Sequence, residues 1–216
     1  MPASNDLIVF DLGRVLIRIC DNWSHACEVA GVANSAAQLT PRAQSALHEV
    51  VCAAEVGELN VRAFADACSA ILGIDSQDIV RISNNYLLGP FAGVTELLRE
   101  LKRAGVMTAC LSNTNENHWR LVTDPSDTNY LPLELLDYRF ASHLLGMRKP
   151  EARIYEHVER QTGVAPDRIT FFDDLEENVA AASKRRWDGC LIQNDTDPIA
   201  QIRKHVRVRK WLHEAR

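Results

Sequence analysis

Nothing in this 216-residue sequence approaches the roughly 20 consecutive apolar residues that a membrane-spanning helix needs. The opening segment MPASNDLIVF also lacks a basic stretch ahead of a long apolar run, so no secretory leader is expected and a cytoplasmic setting is. Positive charge is in deficit. Lys and Arg number 24 against 29 Asp and Glu, a formal net charge of -5 with a pI of about 5.8. Without a broad positive field, binding to nucleic acid or to a membrane surface is not expected. The one basic run, residues 201–216 with Arg203, Lys204, Arg207, Arg209 and Lys210, reads as a solvated helix face. The six cysteines (Cys20, Cys27, Cys52, Cys68, Cys110, Cys190) show no short paired spacing. That excludes a zinc knuckle and a secreted disulfide framework, and leaves reduced thiols. Internal repeats and low-complexity tracts are absent as well.

What is present is an ordinary globular composition, 46% hydrophobic, in a chain long for one compact domain and short for two. Residues 7–10 form an apolar run that ends in Asp11, with Gly13 just after. This is the pattern of a buried parallel strand delivering a carboxylate to a loop. Residues 23–88 are Ala-rich and helical in period, with breaks at Gly31, Thr40-Pro41, Gly57 and Gly73 and no strand-like alternation. Beyond Gly89-Pro90 the pattern alternates. A helix is expected over 94–104, a strand over 106–111 ending in Ser112, and a strand over 138–142. A helix from Pro150 to 162, a strand over 169–172 ending in Asp173-Asp174, a helix over 176–185, a strand over 189–193 and a last helix follow. Alternating strands and helices predict an α/β fold with a parallel sheet covered on both faces. The helical block is then an inserted cap, giving a core of residues 1–17 and 89–216 and a cap of residues 18–88.

In open parallel sheets, ligands bind beyond the carboxyl ends of the strands. The groups expected there are Asp11, Ser112 and Asp173-Asp174, with Lys149 in the loop GMRKP. Each alone is weak: strand-end Asp residues are often helix caps, and Ser after a strand is often turn chemistry. Together they make a kit for phosphoryl transfer. One carboxylate attacks phosphorus, a second holds a hard dication such as Mg²⁺, and a hydroxyl, backbone N–H groups and a Lys neutralise the phosphoryl oxygens.

The ordered segments IVFDLGRVLI, CLSNTN, GMRKPEARIY and TFFDDLEENVAAA resemble the four motifs of the haloacid dehalogenase (HAD) superfamily. The likeness extends to its bacterial α-D-glucose-1-phosphate phosphatase branch through DLG and GMRKPEARIY, and less closely to the phosphatase domain of soluble epoxide hydrolases. The resemblance implies a Rossmann-like core with a helical cap inserted after the first motif, and Mg²⁺ as cofactor. It implies Asp11 as nucleophile and metal ligand, the Gly13 carbonyl and Asp174 as further ligands, and Asp173 binding through water or orienting the loop. Ser112, the Asn113 N–H and Lys149 would bind phosphate. The segment AEVGELNVRAF resembles the family's cap turn, where Glu55 or Glu58 would meet sugar hydroxyls.

One departure matters. Family phosphatases carry a second Asp two residues after the nucleophile, as general acid–base, and here that position is Gly13. Its loss costs about 10²–10⁴ in rate. Three explanations compete: a leaving group that needs little acid, such as a sugar 1-phosphate; a substitute among His25, His118 and Glu116; or a phosphate-ligand sensor without turnover. Arg14, where the family more often has a small residue, would pair with a substrate oxygen or with a cap carboxylate such as Glu58. The rival chemistry is a 2-haloacid dehalogenase, which attacks carbon without metal; Asp173-Asp174 speaks against it, because two added carboxylates would repel an anionic substrate. The expected partner is a small phosphorylated molecule, and the chain a monomer or homodimer.

Overall fold

A computed structural model of the chain describes residues 6–33 and 39–214. The five residues on which the leaderless expectation partly rests, the segment 34–38 and the end of the basic run at 215–216 lie outside it. Five strands form one parallel sheet in the order β5(Tyr138–Ala141), β4(Met107–Ser112), β1(Leu7–Phe10), β6(Ile169–Asp173), β7(Asp188–Leu191). The central strand is buried along its whole length. Ile8 and Phe10 join one apolar cluster with Val94, Leu97, Leu98 and Leu101 of α5(Val94–Arg103). Leu7 and Val9 join another, on the opposite face, with Ile154, Tyr155 and Val158 of α8(Ala152–Thr162). Period-2 alternation thus explains why β1 reads as continuously apolar: both faces are covered. Burying the α5 stripe contributes roughly 2 kcal/mol per side chain.

Between β1 and α5 the chain makes an excursion through four helices: α1(Trp23–Ala30), α2(Pro41–Glu55), α3(Val61–Leu72) and α4(Ser76–Asn84). Side-chain caps start each, at Asn22, Thr40, Asn60 and Asp75, as Asn, Thr and Asp are suited to do. The four pack on a core of their own that includes Cys20, Cys27, Cys68, Ile79 and Ile82. All six cysteines are unpaired; burial pushes the Cys68 and Cys110 thiols up to about 12.

The structure corrects the sequence reading in several places, among them a helix over Glu116–Thr123 where a polar loop was expected. The excursion is entered and left through a two-stranded antiparallel ribbon, β2(Ile17–Ile19) with β3(Leu87–Pro90), so residues 87 and 88 are strand rather than helix. Strands this short carry no readable period. The helix expected from Pro150 begins at Ala152. The single last helix is two, α10(Pro198–Lys204) and α11(Val206–Glu214). His205 breaks them with an extended backbone, ψ 135, while its ring lies edge-on to Phe172 at 5.4 Å.

Candidate active site

Three adjacent strands bring the predicted groups together. The N–H of Asp11 donates to the Phe172 carbonyl at 2.8 Å, pinning the residue after β1 against the end of β6. Ser112 closes β4 on the other side, and Asp173 closes β6. Lys149 reaches in from the loop after α7(Ser142–Leu145), where the Asn113 side chain clamps its peptide. Asn113 Oδ1 accepts from the Lys149 N–H at 2.8 Å, and Nδ2 donates to the Lys149 carbonyl at 3.0 Å. Lys149 Nζ then lies 2.8 Å from Asp11 Oδ1 and donates to Asp173 Oδ2 at 2.6 Å. Asp173 is itself fixed by the Leu175 N–H at 2.8 Å and by Asn178 Nδ2 at 3.0 and 3.1 Å. These contacts hold the Asp173 carboxylate in place at the end of β6.

The electrostatics follow from crowding. Asp11, Asp173 and Asp174 each offer a carboxylate oxygen within 4.8 Å of the others. Burial raises the Asp11 pKa to about 7, with Lys149 opposing and Asp173 and Asp174 adding to the rise. Burial and Asp173 also raise Asp174. Burial alone would lower Lys149, yet Asp11 and Asp173 beside it hold it protonated, well above the usual lysine range. Three carboxylates thus face Lys149 and Arg14. Asn178 Oδ1, buried on the same cavity wall, receives no hydrogen bond from the described protein atoms. An oxygen-rich pocket with surplus negative charge and a vacant acceptor suits a hard divalent cation and its waters. Gly13 lines the same cavity.

Other expected participants are sorted by distance. Arg14 has a left-handed backbone, φ 57. It donates to the Cys20 and Asp21 carbonyls at 3.3 and 3.2 Å and lies 3.6 Å from Asp174 and 3.9 Å from the Asp21 carboxylate. Its carboxylate partner in the insert is therefore Asp21, not Glu58, because the tight turn after Asp11 aims it at the entry of α1. His118, in α6(Glu116–Thr123), does line the cavity. Both its ring nitrogens are engaged: Nε2 sits 2.9 Å from the Ser83 carbonyl and Nδ1 3.4 Å from Asn115 Nδ2. Burial lowers its pKa to about 4, so it stands neutral and committed rather than ready to pass a proton. His25 pairs with Asp21, and neither it nor Glu116 is on the cavity wall. Glu55 is on the wall, where Arg148 Nε donates to it at 2.8 Å.

Comparisons with known proteins bear on the family and the fold. The family described as haloacid dehalogenase-like hydrolase matches residues 6–184. A sesquiterpene phosphatase of Aspergillus oryzae is 39% identical over 119 residues, 55% of this chain and 59% of that protein. An (S)-2-haloacid dehalogenase of Pseudomonas fluorescens is 26% identical over 65% of this chain and 64% of that protein. The chain thus spans less than two thirds of the length of these curated relatives. Among solved structures, a HAD family enzyme of Bacteroides thetaiotaomicron in complex with magnesium and inorganic phosphate superposes with a TM-score of 0.70 at 21% identity, covering 89% of this chain and 96% of that one. An L-2-haloacid dehalogenase of Xanthobacter autotrophicus with covalently bound chloropropionic acid gives 0.57 at 18% identity, covering 94% and 80%. At these identities the structural likeness concerns the fold. With a family match across most of its length, the chain belongs to the haloacid dehalogenase-like hydrolases.

Proposed function

We propose that the chain is a magnesium-dependent phosphatase acting on a small phosphomonoester through a phosphorylated Asp11. The observation that carries this reading is the carboxylate surplus: Asp173 and Asp174 crowd a buried Asp11, an arrangement that admits an anionic substrate only with a compensating cation. Asp11, Asp174 and the Gly13 carbonyl would hold Mg²⁺, which when bound offsets charge between nucleophile and phosphate. An Asp11 carboxylate oxygen attacks phosphorus, forming a new P–O bond as the ester P–O bond breaks. The departing alkoxide takes its proton from solvent, since Gly13 has none to give. Water then attacks phosphorus, the bond to Asp11 breaks, and phosphate leaves. Lys149, Ser112 and the Asn113 N–H hold the phosphoryl oxygens throughout.

The helical excursion serves as the cap, with the boundaries near residues 17 and 89 falling in the β2–β3 ribbon. Within the phosphatase reading, a sugar 1-phosphate is supported by the acidity of its anomeric leaving group and by the resemblance to the glucose-1-phosphate phosphatase branch. The Aspergillus relative supports the same chemistry on a hydrocarbon leaving group. Unpaired cysteines support a cytoplasmic setting. The Pseudomonas relatives favour a second reading, dehalogenation.

Phosphate release from a panel spanning p-nitrophenyl phosphate, glucose 1-phosphate and alkyl phosphates, with and without Mg²⁺, separates the two. Metal-dependent release that Asp11→Asn reduces by about 10⁴-fold or more supports the phosphatase. Chloride release from 2-chloropropionate without metal, and no phosphate from any ester, overturns it.

A further inference from the structure

The catalytic groups form one wall of a cavity of about 360 Å³, and the opposite wall is built by the four inserted helices. Each supplies one apolar side chain: Trp23 from α1, Val51 from α2, Phe64 from α3 and Ile82 from α4. Ile19 and the Tyr86 ring continue the surface. Of the polar groups these helices add, the Glu55 carboxylate and the Ser83 hydroxyl are committed to the core, while the buried Trp23 Nε1 has no hydrogen-bond partner among the described residues. Glu55 takes the Arg148 hydrogen bond, and the Ser83 hydroxyl meets His118 Nε2 at 3.2 Å and Asn117 Nδ2 at 3.4 Å. Sugar hydroxyls buried against this wall would exchange water for hydrocarbon, at a penalty of about 1–3 kcal/mol for each group left unpaired. An alkyl or prenyl chain gains instead.

We infer that the ligand this site takes is a phosphate monoester of an apolar alcohol, its phosphate at Asp11 and Lys149 and its hydrocarbon against Trp23, Val51, Phe64 and Ile82. The inference rests on the phosphatase reading for what happens to the ester, and on the wall alone for what binds. Size sets a length. An apolar cavity of ~150 Å³ holds one benzene, so 360 Å³ holds roughly fourteen non-hydrogen atoms by that measure. A phosphate uses five, leaving about nine or ten carbons. Longer chains leave through the mouth, where Val51 and Leu175 are 37% and 44% exposed.

The n-alkyl series isolates this effect, since its members share one leaving-group acidity and the absence of an acid at Gly13 slows them all alike. Alkylphosphonates, whose C–P bond is not cleaved, read binding apart from turnover. Calorimetry of the Mg²⁺-loaded protein with butyl- through dodecylphosphonate is expected to show affinity rising about three- to fourfold per methylene and levelling near ten carbons. Decylphosphonate should also bind more tightly than glucose 1-phosphate. Val51→Asp, at a position 37% exposed, should flatten the slope. Affinity that does not change with chain length, a slope that survives Val51→Asp, or tighter binding of glucose 1-phosphate than of decylphosphonate overturns the inference. The expected binding slope with no phosphate released from any ester overturns the phosphatase reading instead, and leaves an apolar phosphate ester as the ligand.

Discussion

Lys149 keeps its charge at 1% exposure because Asp11 and Asp173 face it within 2.8 Å. Replacing it with Met would leave buried carboxylates crowded together, and breaking such a group costs about 3–5 kcal/mol. Urea denaturation in the presence of a chelator should report a loss of that size, and Mg²⁺ should restore part of it. His118 makes a different prediction. Burial depresses its pKa from 6.5 to about 4, so the unfolded chain binds the proton more readily. Stability tied to His118 is complete above pH 6.5 and is lost as pH falls towards 4, by on the order of 3 kcal/mol. The slope of unfolding free energy between pH 4 and 6.5 should therefore shrink in His118→Gln. Residue types at strand ends were readable in the sequence: Asp11, Ser112, Lys149 and Asp174 stand where their positions beyond the strands put them. The Asn113 clamp on Lys149 and the Glu55–Arg148 pair were not, since each joins groups 36 and 93 residues apart that no local pattern links. Asn178 stood within the fourth motif, but its grip on Asp173 depends on a helix turn whose geometry the letters do not carry.

At the scale of elements, the insert meets the core through few but specific contacts. The Asn117 side chain of α6 donates to Asn84 at the end of α4 at 2.7 Å, and Gly57, in the turn between α2 and α3, presses on the His143 carbonyl. A Cβ at Gly57 would lie 2.3 Å from that oxygen, and φ there is 78. Gly57→Ala should therefore push the insert away from the core. A stability loss of about 1–3 kcal/mol is expected, with KM rising more than kcat falls; thermal unfolding and steady-state kinetics on one substrate check both. Element types were clear from periodicity wherever a run was long, as in α5. The ribbon was not, because three residues of alternation at Ile17–Ile19 look like the continuation of an apolar run. The break at His205 was equally hidden, as it depends on Phe172 and on Asp188, 3.6 Å away.

For the whole molecule, the buried carboxylates couple stability to the proton and, on the proposed reading, to the metal. The Asp11 pKa is raised to about 7, so without metal the folded state loses stability as pH climbs from about 4 to 7, when the carboxyl must ionise in place. On the proposed reading, Mg²⁺ held among these carboxylates would offset that penalty. At 100 times its Kd it should add about 2.7 kcal/mol, or roughly 5–10 °C in Tm for a chain of this size. The gain should be clear at pH 8 and much smaller at pH 5.5, where a proton on Asp11 competes with the cation. Calorimetric scans at the two pH values would show it, and Asp11→Asn should remove most of the difference.

The β2–β3 ribbon has a consequence for how such a protein can change. Ile19 and Leu87 are register partners, so the chain departs from the catalytic body and rejoins it one strand spacing apart. Residues 20–86 are then a cassette spliced into a hairpin, and its length scarcely affects the closure of the sheet beneath. On the proposed reading, one roof is exchangeable for another while Asp11, Lys149 and Asp174 stay in register, and the choice of molecule is then separable from the choice of reaction.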